Sequence, residues 1–373
     1  MATRVIISGG GTGGHIFPAI AIANALKRID PNIELLFVGA NGRMEMEKVP
    51  AAGYPIKGLD IQGIDRRSLW KNLVLPFKLY RSMLRAKQIV RDFAPDVAVG
   101  VGGYASGPLL YTAAKMGIPC LIQEQNSYAG ITNKKLGAKA ARICVAFEGM
   151  ERFFPAEKIR FTGNPLRRES VDIGQKRTEA LAAFGLQPDR KTILVTGGSL
   201  GARTLNECMQ SGLDRLIANN VQLIWQCGSY YYQALRPEIE AIGAAGITLT
   251  AFLNRMDLAY AAADIIVSRA GAGTIAELCA VGKAAILVPS PNVAEDHQTK
   301  NAQALVNKSA ALMVRDADAS AQLVSAALDL LQEEEHCAAL AENIARLAIF
   351  DADEVIAKEV LALAAGKRTK TQP

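Results

Sequence analysis

One pattern occurs twice in the chain and constrains its fold more than any other feature. An apolar β-branched run passes into a glycine-rich turn and then into an alanine-rich helical stretch. Val5-Ile6-Ile7-Ser8 leads into Gly9 to Gly14, and Ile193-Leu194-Val195-Thr196 leads into Gly197-Gly198-Ser199-Leu200-Gly201-Ala202-Arg203. Each is the opening step of a doubly wound parallel sheet. Further short apolar runs alternate with helical stretches: Glu34 to Val38, Asp96 to Val101, Pro119 to Gln123 and Arg142 to Ala146 in the first half, then Gln222 to Gln226, Thr248 to Phe252, Asp264 to Ser268 and Ala284 to Val288. The order breaks near Asn164-Pro165-Leu166-Arg167. The expected fold is therefore α/β, with two Rossmann-like doubly wound domains, 1–164 and 165–342, facing a central cleft at the strand C-terminal ends. A length of 373 residues suits two domains of ordinary size.

Half the residues are apolar and 21% are charged, which excludes a disordered or fibrous chain. The longest apolar runs, such as Ala284 to Pro289, are strand-sized, so no membrane-spanning helix is expected. The start, Met-Ala-Thr-Arg followed by Val5, lacks the pattern of a signal peptide, and the expected location is the cytoplasm. Six cysteines are scattered without a Cys-x-x-Cys pair, which points to buried thiols rather than zinc or disulfides.

Charge is uneven. Residues 1–165 carry 22 Lys or Arg against 12 Asp or Glu, although the whole chain is only +6. Asp65 to Arg91 concentrates Arg66, Arg67, Lys71, Lys78, Arg81, Arg85, Lys87 and Arg91 among Trp70, Leu75, Phe77, Tyr80 and Leu84. Two readings stay open: a core helix with a solvated basic face, or docking on an anionic membrane surface, where each Lys or Arg adds about 1 kcal/mol. Nucleic acid ranks third because no matching fold motif appears, and none is expected as a partner.

The glycine-rich loops can be weighed separately. Gly9 to Gly14 matches Gly-x-Gly-x-x-Gly, but Phe37-Val38 runs into Gly39-Ala40-Asn41 with no acid for a dinucleotide's ribose. No loop supplies the Gly-Lys-Ser/Thr of a P-loop. In the second half, Arg269 to Gly273 is a tight turn and Thr274 begins a helix, whose amides can hold an anion. Glu277, one turn on, can serve a ribose or merely pair with the helix dipole. Glu295-Asp296-His297-Gln298 forms a polar cluster after a strand, suited to sugar hydroxyls or to a solvated loop. His15, at the mouth of the first sheet, is either structural or a general base. Asp316-Ala317-Asp318 and Asp351-Ala352-Asp353 read as surface and helix-cap residues, and no metal site or cofactor is expected.

Seven motifs in order carry a resemblance over nearly the whole chain. They are Gly10-Gly11-Thr12-Gly13-Gly14-His15, Gly102-Gly103-Tyr104-Ala105-Ser106-Gly107, Glu124-Gln125-Asn126, Gly163-Asn164-Pro165, Gly197-Gly198-Ser199-x-Gly201-Ala202-Arg203, Arg269-x-Gly271-Ala272-x-Thr274-x-x-Glu277 and Asp296-His297-Gln298-Thr299. Together they resemble the MurG family of glycosyltransferases, which add N-acetylglucosamine to the lipid-linked muramyl-peptide precursor of the bacterial cell wall. The resemblance implies a GT-B fold with UDP-GlcNAc held mainly by the C-terminal domain and the undecaprenyl-linked muramyl-pentapeptide by the N-terminal one.

It further implies that Leu253 meets the uracil and Glu277 the ribose, while Ser199, Ala272, Gly273, Thr274, Ile275 and Ala276 hold the diphosphate. Gln298 and Asn126 would take the sugar hydroxyls, Arg167 the nucleotide side, and Thr12, Gly13 and Gly14 the phosphates. The implied reaction is inverting, with His15 as the candidate base and no metal. The acceptor's lipid implies work at the cytoplasmic membrane face as a peripheral protein, which favours docking by 65–91. The stretch from Asn343 to Ala365 reads as helix, and the resemblance implies that 343–373 crosses back to the first domain with Gly366 to Pro373 frayed. Many members carry His where Gln123 stands, which puts a catalytic role there in doubt. Gly273 replaces a bulkier residue of some members. The rival readings are another UDP-sugar enzyme, such as a UDP-GlcNAc epimerase or glycolipid glycosyltransferase, and a non-catalytic or NAD-binding Rossmann protein.

Overall fold

A computed structural model describes residues 2–62, 75–198 and 200–371. The chain forms two compact units, residues 1–166 with 351–373, and residues 167–350.

The first unit holds a seven-stranded sheet: β1 (Arg4–Gly9), β2 (Glu34–Ala40), β3 (Ile56–Leu59), β4 (Val97–Gly102), β5 (Cys120–Glu124), β6 (Arg142–Val145) and β7 (Ile159–Phe161). The spatial order is β3-β2-β1-β4-β5-β6-β7, with every pair parallel. β4 is buried along its whole length, as a central strand covered on both faces must be. The helix Gly13–Ile29 buries Ile16, Ala19, Ile22, Ala23 and Leu26, a stripe at helical spacing laid against the sheet. The C-terminal helix Ala352–Thr371 contributes Ile356, Ala357, Val360 and Ala364 to the same core as Val5, Ile7 and Ile22. Arg28 pairs with buried Asp353 at 2.5 Å, and Arg142 with Glu359 at 2.7 Å.

The second unit holds β8 (Thr192–Thr196), β9 (Gln222–Gln226), β10 (Ile247–Thr250), β11 (Ile265–Ser268), β12 (Ala284–Leu287) and β13 (Leu312–Met313). Their order is β10-β9-β8-β11-β12-β13, again parallel throughout. In both units the strand order reverses beside the first strand, at β1/β4 and at β8/β11. Open α/β sheets bind ligands outside the carboxyl ends of such a pair.

Three expectations need correction. The stretch 343–365 is not one helix: Glu334–Ala345 ends within the second unit, and a new helix begins at Ala352, so the chain returns at 350/351 rather than at 342/343. The helix also continues through Gly366 to Thr371, and Lys367 Nζ donates to Pro95 O at 2.8 Å. Asp353 is no surface residue, being 3% exposed. Asp318 does take the expected N-cap position, of the helix Ala319–Gln332, although its side chain accepts from Arg315 rather than from the helix amides.

Candidate active site

The first unit assembles its polar residues on the loops after β1, β4 and β5. Thr12 is the N-cap of the helix Gly13–Ile29, whose first turn contains no acid, so the amides at this helix start face their positive end toward any ligand. His15 is half-buried, with Nδ1 3.0 Å from Gly10 O. A carbonyl oxygen only accepts, so the proton sits on Nδ1 and neutral His15 keeps its lone pair on Nε2. That tautomer is the one a general base requires. Gly103, at φ +89, crosses the loop so closely that a Cβ there would lie 2.3 Å from Gly10 O. Tyr104 is exposed beside this crossing.

Glu45 lies beneath the same loop and is 1% exposed. Its Oε2 accepts from Gly11 N at 2.9 Å and its Oε1 from Ala40 N at 3.0 Å. The Gly11 amide, which a dinucleotide phosphate would need, is thus already occupied by an internal anion. This observation argues against the NAD reading more directly than the missing acid after Val38 does.

Asn126 donates from its backbone N (3.1 Å) and its side-chain Nδ2 (3.3 Å) to Glu124 Oε1. Glu124 Oε2 accepts from Gly130 N and Asn133 Nδ2. Glu124 is itself buried and so shapes the loop that presents Asn126. Gln123 is fully buried, donating to Asn164 Oδ1 at 2.9 Å and accepting from Gln125. A residue so enclosed ties two motifs together.

In the second unit, Glu277 is the sixth residue of the helix Ala272–Val281, beyond its first turn, so dipole pairing is not its role. Its Oε1 accepts from Arg167 Nε at 2.9 Å and Nη2 at 2.7 Å, and its Oε2 accepts from Tyr260 OH at 3.0 Å. Tyr260 is fully buried, and desolvation followed by the neighbouring Glu277 charge holds its hydroxyl protonated well above the usual range. These donors fix the carboxylate and occupy three of its roughly four lone-pair sites, leaving one on Oε2. Gly271 caps this helix in extended conformation, the first turn has no acid, and a Cβ on Gly273 would meet nothing within 4 Å. Thr274, Ile275 and Ala276 complete that turn. Gln298 accepts through Oε1 from Ala270 N (3.2 Å) and Ser290 N (2.8 Å). The flip of its amide is thereby set, with Nε2 as the remaining donor. Just before it, Glu295 and Asp296 both have φ +54, a strained conformation of the kind found where a loop is shaped for function.

The Leu253 side chain is buried beside exposed Phe252, and its backbone N–H and C=O take no hydrogen-bond partner among the described residues. Gln226 holds the second glycine loop: it accepts from Thr196 Oγ1 at 2.6 Å and donates to Gly198 O at 2.8 Å.

The structure brings Arg167, Glu277 and the Ala272–Ala276 turn together, and binds Gln298 to the neighbouring Ala270. Thr12, Gly13, Gly14, His15 and Asn126 belong to the other unit. Ser199 and residues 65–74 lie outside the described residues. The described part of the basic segment is the helix Leu75–Phe93, which buries Ser82, Ala86, Ile89 and Val90 and exposes Phe77, Leu79, Tyr80 and Leu84 beside Arg81, Arg85 and Lys87. Sequence reasoning missed Glu45, Tyr260 and Gln226, none of which stands in a motif. Asp316 is a tie to Arg269 and to Thr204 Oγ1 rather than a surface residue. Among the described residues no group of three or more His, Cys, Asp or Glu is placed to hold a metal ion, and no helix is long and apolar enough to cross a membrane. Burial pushes the Cys120, Cys144 and Cys279 thiols up to about 12.

Two doubly wound domains, each with a glycine-rich loop at the strand-order reversal, define a GT-B fold. The glycosyltransferase family 28 N-terminal domain matches residues 5–145, and its C-terminal domain matches 192–357. The chain is 57% identical to the Bacteroides fragilis UDP-N-acetylglucosamine–N-acetylmuramyl-(pentapeptide) pyrophosphoryl-undecaprenol N-acetylglucosamine transferase, covering 97% of this chain and 96% of that protein. It is 48% identical to the Flavobacterium psychrophilum protein of the same name, covering 98% and 99%. A crystal structure of Acinetobacter baumannii MurG superposes with a TM-score of 0.78 at 29% identity, covering 96% and 99%. A UDP-N-acetylglucosamine 2-epimerase, TM-score 0.65 at 16% identity over 100% of this chain and 99% of that one, shares the fold alone. The chain belongs to glycosyltransferase family 28 and, within it, to the MurG family.

Proposed function

We propose that the chain transfers N-acetylglucosamine from UDP-GlcNAc to the 4-hydroxyl of the muramyl sugar of undecaprenyl-pyrophosphoryl-MurNAc-pentapeptide, with inversion. The observation that carries this reading is the near-full-length kinship with transferases named for that reaction. The residue roles are those the family resemblance implies, and the placement of the described residues supports them. Glu277, held by Arg167 and Tyr260, takes the ribose hydroxyls, and the Leu253 backbone reads the uracil. The turn Ala272, Gly273, Thr274, Ile275 and Ala276, with Ser199, holds the diphosphate. Gln298 and Asn126 take the sugar hydroxyls, and Thr12, Gly13 and Gly14 the phosphates at the first helix start.

In the step itself the acceptor oxygen forms a bond to the anomeric carbon as the bond from that carbon to the UDP oxygen breaks. His15 Nε2 takes the hydroxyl proton. Negative charge grows on the departing diphosphate, and the helix start at Gly271 stabilises it by pre-oriented amides.

The acceptor's lipid stays in the membrane, so the enzyme works at its cytoplasmic face as a peripheral protein. The helix Leu75–Phe93 suits that task, because its exposed Phe77, Tyr80 and Leu84 can enter the interface while Arg81, Arg85 and Lys87 meet anionic headgroups. Transfer of radiolabelled N-acetylglucosamine from UDP-GlcNAc to a short-chain lipid-linked muramyl-pentapeptide tests the whole reading. Labelled disaccharide product is expected; bound donor with no transfer would move the assignment to another acceptor.

A further inference from the structure

The peptide unit between Gly10 and Gly11 is held from both sides. Its carbonyl, Gly10 O, accepts from His15 Nδ1 at 3.0 Å, and its N–H, on Gly11, donates to Glu45 Oε2 at 2.9 Å. These two atoms belong to one rigid plane, so whatever turns the N–H also turns the carbonyl. Glu45's other oxygen is tied to Ala40 N at 3.0 Å, which anchors the carboxylate to the end of β2. Glycines leave the room for it: a Cβ on Gly10 would lie 2.2 Å from Glu45 Oε1, and one on Gly39 would lie 2.6 Å from its Cγ. The chain therefore sets a buried carboxylate under the loop and keeps neighbouring side chains out of its way.

We propose that Glu45 is a positioning residue for the transfer reaction, orienting the Gly10–Gly11 peptide so that its carbonyl fixes the His15 tautomer with Nε2 basic. The inference rests on the transferase reading above. Glu45 acts on His15 only through the peptide plane. Its loss should accordingly appear in turnover and leave the donor residues of the second unit untouched.

Glu45→Gln preserves shape, but a carboxamide accepts through one oxygen only and turns its NH2 toward the second backbone donor. Either Gly11 or Ala40 then loses its partner. Glu45→Asp is one methylene shorter and cannot span both amides. In the full chain, Glu45→Gln is expected to lower kcat about 100-fold, the scale of a misplaced catalytic group, with KM for UDP-GlcNAc changed by less than about twofold. Amide exchange should quicken by about tenfold or more at whichever of Gly11 and Ala40 loses its acceptor. Glu47→Gln, an exposed neighbour with 78% of its side chain accessible, is the control expected to match the parent in both measurements.

A Glu45→Gln protein with parental kcat, or with parental exchange at both Gly11 and Ala40, overturns the proposal. So does a fall in kcat matched by an equal loss of donor affinity, since that marks general damage. Should the Gln variant fail to fold, Glu45→Asp is read in its place by the same criteria. Absence of transfer by the parent chain would instead overturn the transferase reading, and exchange at Gly11 and Ala40 would then still support or overturn the hold exerted by Glu45.

Discussion

The two glycine-rich loops start alike and end differently. After β1, the loop leans across the reversal point onto β4, where Gly103 crosses Gly10, and its Gly11 amide is filled by Glu45. After β8, the loop leans the other way, onto β9: a Cβ on Gly228 would lie 2.3 Å from Gly201 N, and Gln226 grips Gly198. That leaves the β11 side to the helix start at Gly271 and to Glu277. The same strand-turn-helix signature thus builds a loop filled by a buried carboxylate in one unit and leaves an open helix start beside the loop in the other. The distinction is made by residues outside the motif.

The sharpest way to break this comparison is to strike one residue from each loop system and measure both readouts. His15→Ala should lower kcat by about 10²- to 10⁴-fold, the range for a general base, while the Kd for UDP stays unchanged. Equal losses in both would mean that the first loop is not purely catalytic. Glu277→Gln should do the reverse. Its carboxylate accepts from Arg167 and, on the proposed reading, from the ribose; such charged bonds contribute about 1.5–3 kcal/mol, so UDP affinity by calorimetry should fall by roughly 10- to 100-fold. An unaltered Kd would remove the ribose assignment.

How much of this could be read in the sequence depends on burial. The central strands announced themselves as continuous apolar runs because parallel strands covered on both faces have no polar side to show. Three strands were missed, β3, β7 and β13, and each lies at a sheet edge where burial is partial and the runs are two to four residues long. The helix break at 346–351 was missed because Ala-rich periodicity continues across it, and only tertiary packing assigns its two sides to different units. Site residues inside motifs were legible, since glycine spacing and helix starts carry their chemistry locally. Glu45 and Tyr260 were not. Glu45 stands in an ordinary charged stretch, and Tyr260 meets Glu277 across 17 positions of sequence, a contact that only the tertiary fold creates.

That helix sharpens the comparison through pH. Asp257 at its start is gripped by Arg255 (2.8 and 2.9 Å) and Lys176 (3.1 Å), and hydrogen bonding from Arg255 above all holds its carboxyl well below the usual carboxylate range. A depressed pKa contributes stability that is present above the ordinary value of about 3.9 and lost as pH falls through the folded-state value. Asp257→Asn should therefore lower Tm by several degrees at pH 6, and the gap to the parent should close as pH drops below about 4. A gap that stays constant with pH would mean that shape, not charge, ties down the helix carrying Tyr260.

The gentlest test places one methyl group in each system. Gly10→Ala puts a Cβ 2.2 Å from Glu45 Oε1, so the carboxylate or the loop must move, at a cost of about 1–3 kcal/mol for overpacking. Gly273→Ala puts the same methyl where nothing lies within 4 Å, in the first turn of a helix. There it removes conformational freedom from the unfolded chain and should stabilise by about 0.4–1 kcal/mol, raising Tm by two or three degrees. Opposite signs from one chemical change would follow directly from a first loop filled by its own carboxylate and a second left open for a ligand. If Gly273→Ala is stabilising yet weakens UDP binding, the methyl has entered space the diphosphate uses. If it leaves both unchanged, the ligand sits further along the turn, toward Thr274 and Ala276.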